Sequence, residues 1–140
     1  MIDPNYAVVG PWNHGGTHFL DHEPFDRRLV EWYRHWLDGD GMVLAVDFAE
    51  GRVRALQRFV RTAKLVEERR AGRALYRTFG TRYSGDRLVH GVAVASPVNL
   101  SAYPVAGRLL AFGEQGAPWE LDPATLETLG PGTFGGTVTA

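Results

Sequence analysis

The amino-acid sequence predicts a mainly β protein with one long N-terminal helix. Glycine makes up 17 of the 140 residues and mostly separates short apolar runs, which is typical of turns between strands. Helical periodicity is strong in one stretch near the N-terminus. The apolar runs after it recur about every ten residues, as in an antiparallel meander. At this length the chain can bury one core, and it is short for a large enzyme.

The long helix is predicted to begin at Pro24 and to end before Gly39. Proline is favourable at the first helical position, and glycine commonly follows the last one. The apolar side chains between them recur at spacings of three and four: Phe25, Leu29, Trp32, Tyr33, Trp36 and Leu37. This pattern predicts an amphipathic helix of about 14 residues. Its aromatic side chains line either a groove or the core, and helical spacing favours the core.

The period then changes to that of a β-hairpin. Residues 42–48 and 53–60 are predicted to be its two strands, joined by a turn at residues 49–51. A short charged helix is predicted over residues 63–71, with Thr62 as N-cap and Gly72 at its end. Leu65 occupies the position where a capping box would have Glu or Gln, so that motif is incomplete.

Three further strands are predicted after the charged helix, over residues 88–95, 108–112 and 119–121. Asp122-Pro123-Ala124-Thr125 predicts a turn in which the Asp122 side chain caps the following amides. Two prolines, Pro97 and Pro104, are expected to interrupt sheet pairing around residues 97–104.

Several classes of protein are excluded by composition. The absence of cysteine excludes disulfides, thiolate zinc sites, iron–sulfur clusters and a cysteine nucleophile. The N-terminal residues have no basic segment followed by an apolar one, and no apolar run approaches the roughly 18 residues of a membrane-spanning helix. The sequence therefore predicts a cytoplasmic location.

Charge is segregated along the chain although the net charge is only -1. Residues 52–87 carry eleven Lys or Arg against three Asp or Glu, whereas the segments on both sides are acidic. Such a stretch forms either a surface for an anionic partner or a solvated face paired with the acidic flanks. No basic recognition motif organises these charges, which favours the solvated face, and no nucleic-acid partner is expected.

Motifs spread over residues 38–136 carry a family resemblance. They include Asp38-Gly39-Asp40-Gly41, Arg58-Phe59-Val60-Arg61-Thr62, Ala106-Gly107-Arg108-Leu109 and Asp122-Pro123-Ala124-Thr125-Leu126-Glu127-Thr128. In this order and approximate spacing they resemble the opening of the carotenoid cleavage oxygenase family.

The resemblance implies part of a seven-bladed β-propeller. In the family, four histidines hold an axial Fe(II) that activates dioxygen to cleave a conjugated double bond in carotenoids, apocarotenoids or stilbenes. It also implies a lipophilic polyene substrate and peripheral membrane contact. The family's ligand histidines lie beyond the matched region, so none is transferred to this chain. The 140-residue chain alone is expected to hold no cofactor and to be inactive, and the open sheet edges of a partial propeller favour self-association.

Residues 5–39 resemble a different family, the C-terminal end of the α/β-hydrolases related to cocaine esterase and X-Pro dipeptidyl-peptidase. The resemblance rests on Gly10-Pro11-Trp12-Asn13-His14 and Trp36-Leu37-Asp38-Gly39. It implies that His14 is a triad base. A hydrolase also needs a serine on a Gly-x-Ser-x-Gly elbow, which the sequence lacks, so the triad is incomplete. The two resemblances divide the chain into a hydrolase-like tail at 1–38 and a partial propeller at 39–140.

The remaining histidines give no strong site. His14, His18 and His22 are four residues apart and could share a helical face that holds a metal, but Gly15-Gly16 disfavours that helix. Loop histidines are therefore favoured, and no metal ligand is assigned. His35 and His90 are interpreted as packing or surface residues.

Three hypotheses follow from the sequence. The chain is a fragment of a carotenoid-oxygenase-like non-haem iron dioxygenase, a fragment of a serine hydrolase, or a non-catalytic β-rich module. The third hypothesis has the module bind a membrane or a partner through its basic middle.

Overall fold

The computed structural model describes residues 8–9, 21–22, 35–49, 52–91 and 93–138. These residues form two four-stranded sheets, one α-helix and one 3-10 turn at Trp36–Asp38. The strands and the helix, in chain order, are β1 (Val8–Val9), β2 (Asp21–His22), β3 (Met42–Ala49), β4 (Arg52–Phe59), α1 (Ala63–Ala71), β5 (Ser101–Val105), β6 (Arg108–Phe112), β7 (Trp119–Leu121) and β8 (Thr128–Pro131). The chain is therefore mainly β, with antiparallel sheets, as the sequence predicts.

The first sheet is built around the predicted hairpin, which is confirmed. Strands β3 and β4 pair antiparallel from Met42 opposite Phe59 to Ala49 opposite Arg52. The sheet order is β1-β3-β4-β2, with β1 antiparallel to β3 and β2 parallel to β4. The two short strands from residues 8–22 thus belong to the same sheet as the hairpin.

The second sheet is an antiparallel meander in the order β5-β6-β7-β8. Its two central strands, β6 and β7, were predicted with the same bounds, whereas β5 and β8 were not predicted. Pro104 lies within β5, contrary to the expected interruption. Strand β5 is at the sheet edge, where a residue without an N–H can be accommodated.

The main core lies between the two sheets. Val43 and Ala45 of β3 face Leu109 and Ala111 of β6 and Leu121 of β7. In β3 and β6 the core residues are two apart, which is the side-chain period of a strand. The other members of this cluster, contributed by connecting segments, are Val60, Val98 and Leu126.

Helix α1 has the predicted bounds and caps. The Thr62 hydroxyl accepts a hydrogen bond from the Leu65 N–H at 3.1 Å, and Gly72 ends the helix in the left-handed conformation with φ of 66°. Leu65 packs on Met42 and Phe59 of the hairpin, on the face opposite the main core. The helix therefore covers one end of the first sheet.

The predicted turn at residues 122–125 is also confirmed. Asp122 Oδ1 accepts hydrogen bonds from the N–H groups of Ala124 and Thr125, each at 2.8 Å. These backbone donors, Thr125 first, lower the pKa of the Asp122 carboxyl because they favour its ionised form.

Two predicted elements are wrong. Most of the predicted N-terminal helix lies outside the described residues, but its end is described. His35 is extended, and only a 3-10 turn follows it, so no long helix runs into Gly39. The predicted strand at 88–95 is a turn with a single bridge between Val89 and Ala93, because His90 and Gly91 both have positive φ. Among the described residues, no helix is long and apolar enough to cross a membrane.

Gly41 provides a test of the close approach between the hairpin and residues 97–99. Its N–H donates to Pro97 O at 2.9 Å, and a Cβ at this position would overlap Val98 O. We expect Gly41→Ala to lower the free energy of unfolding by about 3 kcal/mol because the backbone must shift. Gly107→Ala is the control: its φ is 79° with open space around it, so only about 1 kcal/mol of backbone strain is expected. Urea denaturation measures both, and equal losses would contradict the steric argument.

Candidate functional site

Two buried carboxylates dominate the loop at residues 38–41, which we call the acidic loop. The first, Asp38, is fully buried. Its Oδ1 accepts from Gly80 N–H at 3.0 Å, and its Oδ2 accepts from the Thr81 hydroxyl at 2.6 Å. Both donors belong to the turn at residues 78–81, so Asp38 joins the start of the hairpin to a segment about forty residues later.

The second carboxylate, Asp40, belongs to a buried ionic cluster. Lys64 Nζ lies 3.0 Å from Asp40 Oδ1 and 3.0 Å from Glu68 Oε2, and the three side chains are 3% exposed or less. The other oxygen of Glu68 accepts from the N–H groups of Leu75 and Tyr76, at 2.8 and 2.9 Å. The cluster therefore connects the acidic loop, α1 and the segment after α1.

Asn99 completes the surroundings of the acidic loop. Its side-chain N–H₂ donates to the carbonyls of Leu37 and Gly39, each at 2.7 Å. These bonds satisfy carbonyls at the end of the 3-10 turn and so stabilise the chain direction there.

A small cleft opens beside Asn99. Its lining is mixed apolar and polar: Leu37, Phe79, Ala95, Ser96, Pro97, Asn99, Leu100, Glu114 and Gln115. It contains one carboxyl group, that of Glu114, and one hydroxyl, that of Ser96, whose Oγ accepts from Val98 N–H at 3.4 Å. Among the described lining residues no histidine accompanies Ser96, so these residues do not supply the serine–histidine pair of a hydrolase.

Ion pairs organise the segment after α1. Arg77 binds Asp86 through two hydrogen bonds, at 2.9 and 3.0 Å, and Arg87 lies 3.4 Å from Glu67. The hydrogen bond from Arg77 is the largest cause of a lowered pKa at Asp86, opposed by partial burial. Burial is likewise the first cause that raises the pKa of Tyr83 to about 12.

The charges near Tyr83 come from several parts of this segment. The carboxylates of Glu68 and Asp86 raise its pKa further, whereas the guanidinium groups of Arg73 and Arg87 act in the opposite direction. Some charges of the basic stretch at residues 52–87 are therefore paired with carboxylates of the same stretch. Lys64 also forms an ion pair with Asp40, which belongs to the acidic segment before it.

The described histidines do not form a metal site. His35 Nδ1 accepts from Leu37 N–H at 3.2 Å, and its ring meets Phe79 edge-on, whereas His90 is exposed. His22 lies in β2 rather than on a helix, while His14 and His18 lie outside the described residues. Within the described ranges no three His, Cys, Asp or Glu side chains are grouped to hold a metal, so these residues do not fit a four-histidine iron centre.

The buried ionic cluster was not singled out from the sequence. Lys64 and Glu68 are four apart in a helix with few apolar residues, which is the signal that was available. That spacing is normally a solvent-exposed pair, and only the distant Asp40 makes burial of Lys64 acceptable.

Asp38 provides a test of the acidic loop. We expect Asp38→Ala to lower the free energy of unfolding by about 3 kcal/mol, because the buried Thr81 hydroxyl and the partly buried Gly80 N–H lose their acceptor. Asp38→Asn keeps one acceptor for Gly80 and should lose about half as much. Urea denaturation distinguishes the two variants, and a stability of Asp38→Ala equal to that of the unaltered chain would disprove the role of Asp38.

Asp86 provides a pH test. Its lowered pKa means that the ionised form stabilises the folded chain above the unfolded value of about 4, and that this contribution is lost as pH falls through the folded value. We expect acid to destabilise Asp86→Asn less steeply below about pH 4, as measured by urea midpoints. Glu114→Gln, at an exposed carboxyl, is the control; a slope unchanged in Asp86→Asn would contradict the assignment.

Comparison with protein families places residues 14–140 in the family described as RPE65, retinal pigment epithelial membrane protein. Isoeugenol monooxygenase of Pseudomonas nitroreducens is 35% identical over 130 residues, which cover 93% of this chain and 27% of that protein. Resveratrol cleavage oxygenase 1 of Chaetomium globosum is 40% identical over 101 residues, covering 72% of this chain and 17% of its own length. The chain thus spans about a quarter or less of these relatives.

Solved structures of the same family are also similar to this chain. A variant of the Synechocystis apocarotenoid oxygenase matches with a TM-score of 0.67 at 37% identity, over 76% of this chain and 23% of that one. A chimera of that enzyme with RPE65 matches with a TM-score of 0.72 at 31% identity, over 99% of this chain and 28% of the chimera. A cobalt-substituted form of the Synechocystis protein is also similar, so the family includes a metal-dependent oxygenase. The chain belongs to the carotenoid cleavage oxygenase family.

Proposed function

We propose that this chain forms part of the β-propeller scaffold of a non-haem iron oxygenase that cleaves a conjugated double bond in a lipophilic substrate. The observation that carries the proposal is the acidic loop: a motif of the family resemblance is also the point where Asp38 and Asp40 bind two distant segments, the turn at residues 78–81 and α1. The four-stranded meander β5–β8 has the architecture of a propeller blade.

The described residues contribute framework rather than reacting groups. Asp38 and the cluster of Asp40, Lys64 and Glu68 are bonded to groups of the chain itself. We therefore propose that the iron ligands come from outside the described residues, and no chemical step is assigned to these side chains.

The relatives support the substrate class. Their names specify isoeugenol, resveratrol and apocarotenoids. All three substrates contain a carbon–carbon double bond conjugated to an aromatic ring or to further double bonds. We propose the same chemical feature for the substrate of the oxygenase to which this chain contributes.

The other hypotheses stay predictions. His14, which the hydrolase resemblance implies as a base, lies outside the described residues, and the division at residues 38 and 39 remains a proposal. The family match begins at residue 14 and therefore includes most of the hydrolase-like tail. Peripheral membrane contact and association through the edge strands β5 and β8 are likewise proposals.

A chimera tests the function. Residues 38–136 would replace the matching segment of the Synechocystis apocarotenoid oxygenase. A chimera of that enzyme with RPE65 has been crystallised, so the enzyme accepts segments of a relative. We expect the chimera to bind stoichiometric iron and to cleave an apocarotenoid, because the framework of the two chains is shared. Iron content and loss of the substrate's visible absorbance measure the outcome.

Two controls accompany the chimera. The same chimera with Asp38→Ala should lose stability and bound iron together, and the isolated 140-residue chain should bind no stoichiometric iron and show no turnover. A folded chimera without iron or activity would contradict the proposed function. Stoichiometric iron and turnover in the isolated chain would contradict the scaffold role.

A further inference from the structure

The walls of the cleft beside Asn99 come from separate segments of the chain. Two side chains hold these segments together: Asn99 binds the end of the 3-10 turn, and Asp38 binds the turn at residues 78–81. Leu100 N–H donates to Phe112 O at 3.0 Å, which fixes the segment that carries Asn99 against the end of β6. The cleft is therefore formed by the chain itself, as is usual for small-molecule sites.

The cleft offers apolar surface to a ligand. Phe79 is 62% exposed and Leu100 is 45% exposed, although both side chains are large and apolar. Part of the polar lining is engaged within the chain, since Asn99 donates to two carbonyls and Ser96 Oγ accepts from Val98 N–H. The empty volume is about 340 Å³ and partly open to solvent, at the lower end of the range for ligand sites. These properties fit a single uncharged ring or a hydrocarbon end group.

Ser96 and Gly113 set the width of the cleft. Gly113 directly follows β6, and a Cβ at this position would overlap Ser96 Oγ, whose side chain lines the cleft. The same Cβ would lie 3.2 Å from both Cα and N of Val98, so it has little room on that side as well. Because a serine hydroxyl can change rotamer, a side chain at position 113 would turn Ser96 into the open cleft. Glycine at this position therefore keeps the cleft free.

We propose that the cleft binds an uncharged ring at one end of the conjugated substrate, and that Ser96 and Gly113 select this ring by its size. The proposal rests on the proposed function for the kind of ligand: isoeugenol and resveratrol, named for two relatives, both carry an aromatic ring conjugated to a double bond. The two residues determine specificity and take no chemical step. The test measures binding without iron or turnover, so either proposal can fail alone.

Isothermal titration calorimetry of the 140-residue chain with two uncharged probes is the test. Isoeugenol carries a flat aromatic ring, and β-ionone carries a bulkier ring with three methyl groups; in both, the ring is conjugated to a double bond. We expect the chain to bind both probes. Gly113→Ala should weaken the binding of β-ionone about tenfold and that of isoeugenol less than about threefold, because the displaced Ser96 hydroxyl takes roughly the space of one methyl group.

A second substitution separates cleft size from lost stability. Ser96→Ala removes the overlapping oxygen, so Gly113→Ala/Ser96→Ala should bind β-ionone within about threefold of the unaltered chain. Ser96→Ala alone widens the cleft and should tighten β-ionone binding about threefold. Gly107→Ala is the control, because its Cβ meets open space at the other end of β6, and it should change neither affinity.

Several results would overturn the proposal: no binding of either probe, equal losses for both probes in Gly113→Ala, or no recovery in the double variant. An equal loss in Gly107→Ala would show that affinity follows stability instead of cleft size. Circular dichroism and thermal unfolding verify that each variant folds. If Gly113→Ala does not fold, Ser96→Ala decides, since an unchanged affinity for β-ionone contradicts the role of its hydroxyl.

Discussion

The burial of two carboxylates within three residues is the constraint on which the rest of the structure depends. An ionised side chain removed from water must recover its lost hydration through hydrogen bonds or opposite charge. Asp38 and Asp40 recover it from Gly80, Thr81 and Lys64, which lie 24 to 43 residues away in the sequence. The buried position of the acidic loop therefore depends on α1 and on the turn at residues 78–81.

A close backbone approach adds to this constraint. Gly41 lies against the backbone of Val98, which itself has a positive φ of 54°. A β-branched residue in that conformation is strained by about 1–2 kcal/mol, and the burial of its side chain in the main core offsets the cost. The close approach thus needs a residue without a side chain at Gly41 and a strained backbone at Val98. The buried carboxylates of the acidic loop and the main core therefore constrain the same part of the chain.

The elements that could be predicted from the sequence are those that a local pattern of residues determines. The apolar run at residues 42–48, the turn at 49–51 and the alternation at 53–60 predicted the hairpin β3–β4. Thr62 and Gly72 predicted both ends of α1. Strand β5 was missed because Pro104 disfavours pairing in a central strand but not in an edge strand, and edge position is a property of the whole sheet. The apolar run at residues 88–95 looked like a strand because its sequence does not show the positive φ of His90. The ionic cluster of Asp40, Lys64 and Glu68 depends on contacts across tens of residues, which no local pattern contains.

Buried ion pairs are weak evidence for stability, because desolvation consumes most of the electrostatic gain. Buried ion pairs instead constrain geometry. Lys64 Nζ lies 3.0 Å from a carboxylate oxygen of both Asp40 and Glu68, whereas an apolar cluster tolerates many packing arrangements. We infer that the cluster fixes the orientation of α1 and the acidic loop relative to the sheets. An enzyme that collects metal ligands from separate parts of a propeller depends on such fixed orientation, since small displacements of the framework move the ligands apart. Under the proposed function, the buried charged side chains of the acidic loop and α1 would therefore serve the chemistry by holding their surroundings in place rather than by taking part in it.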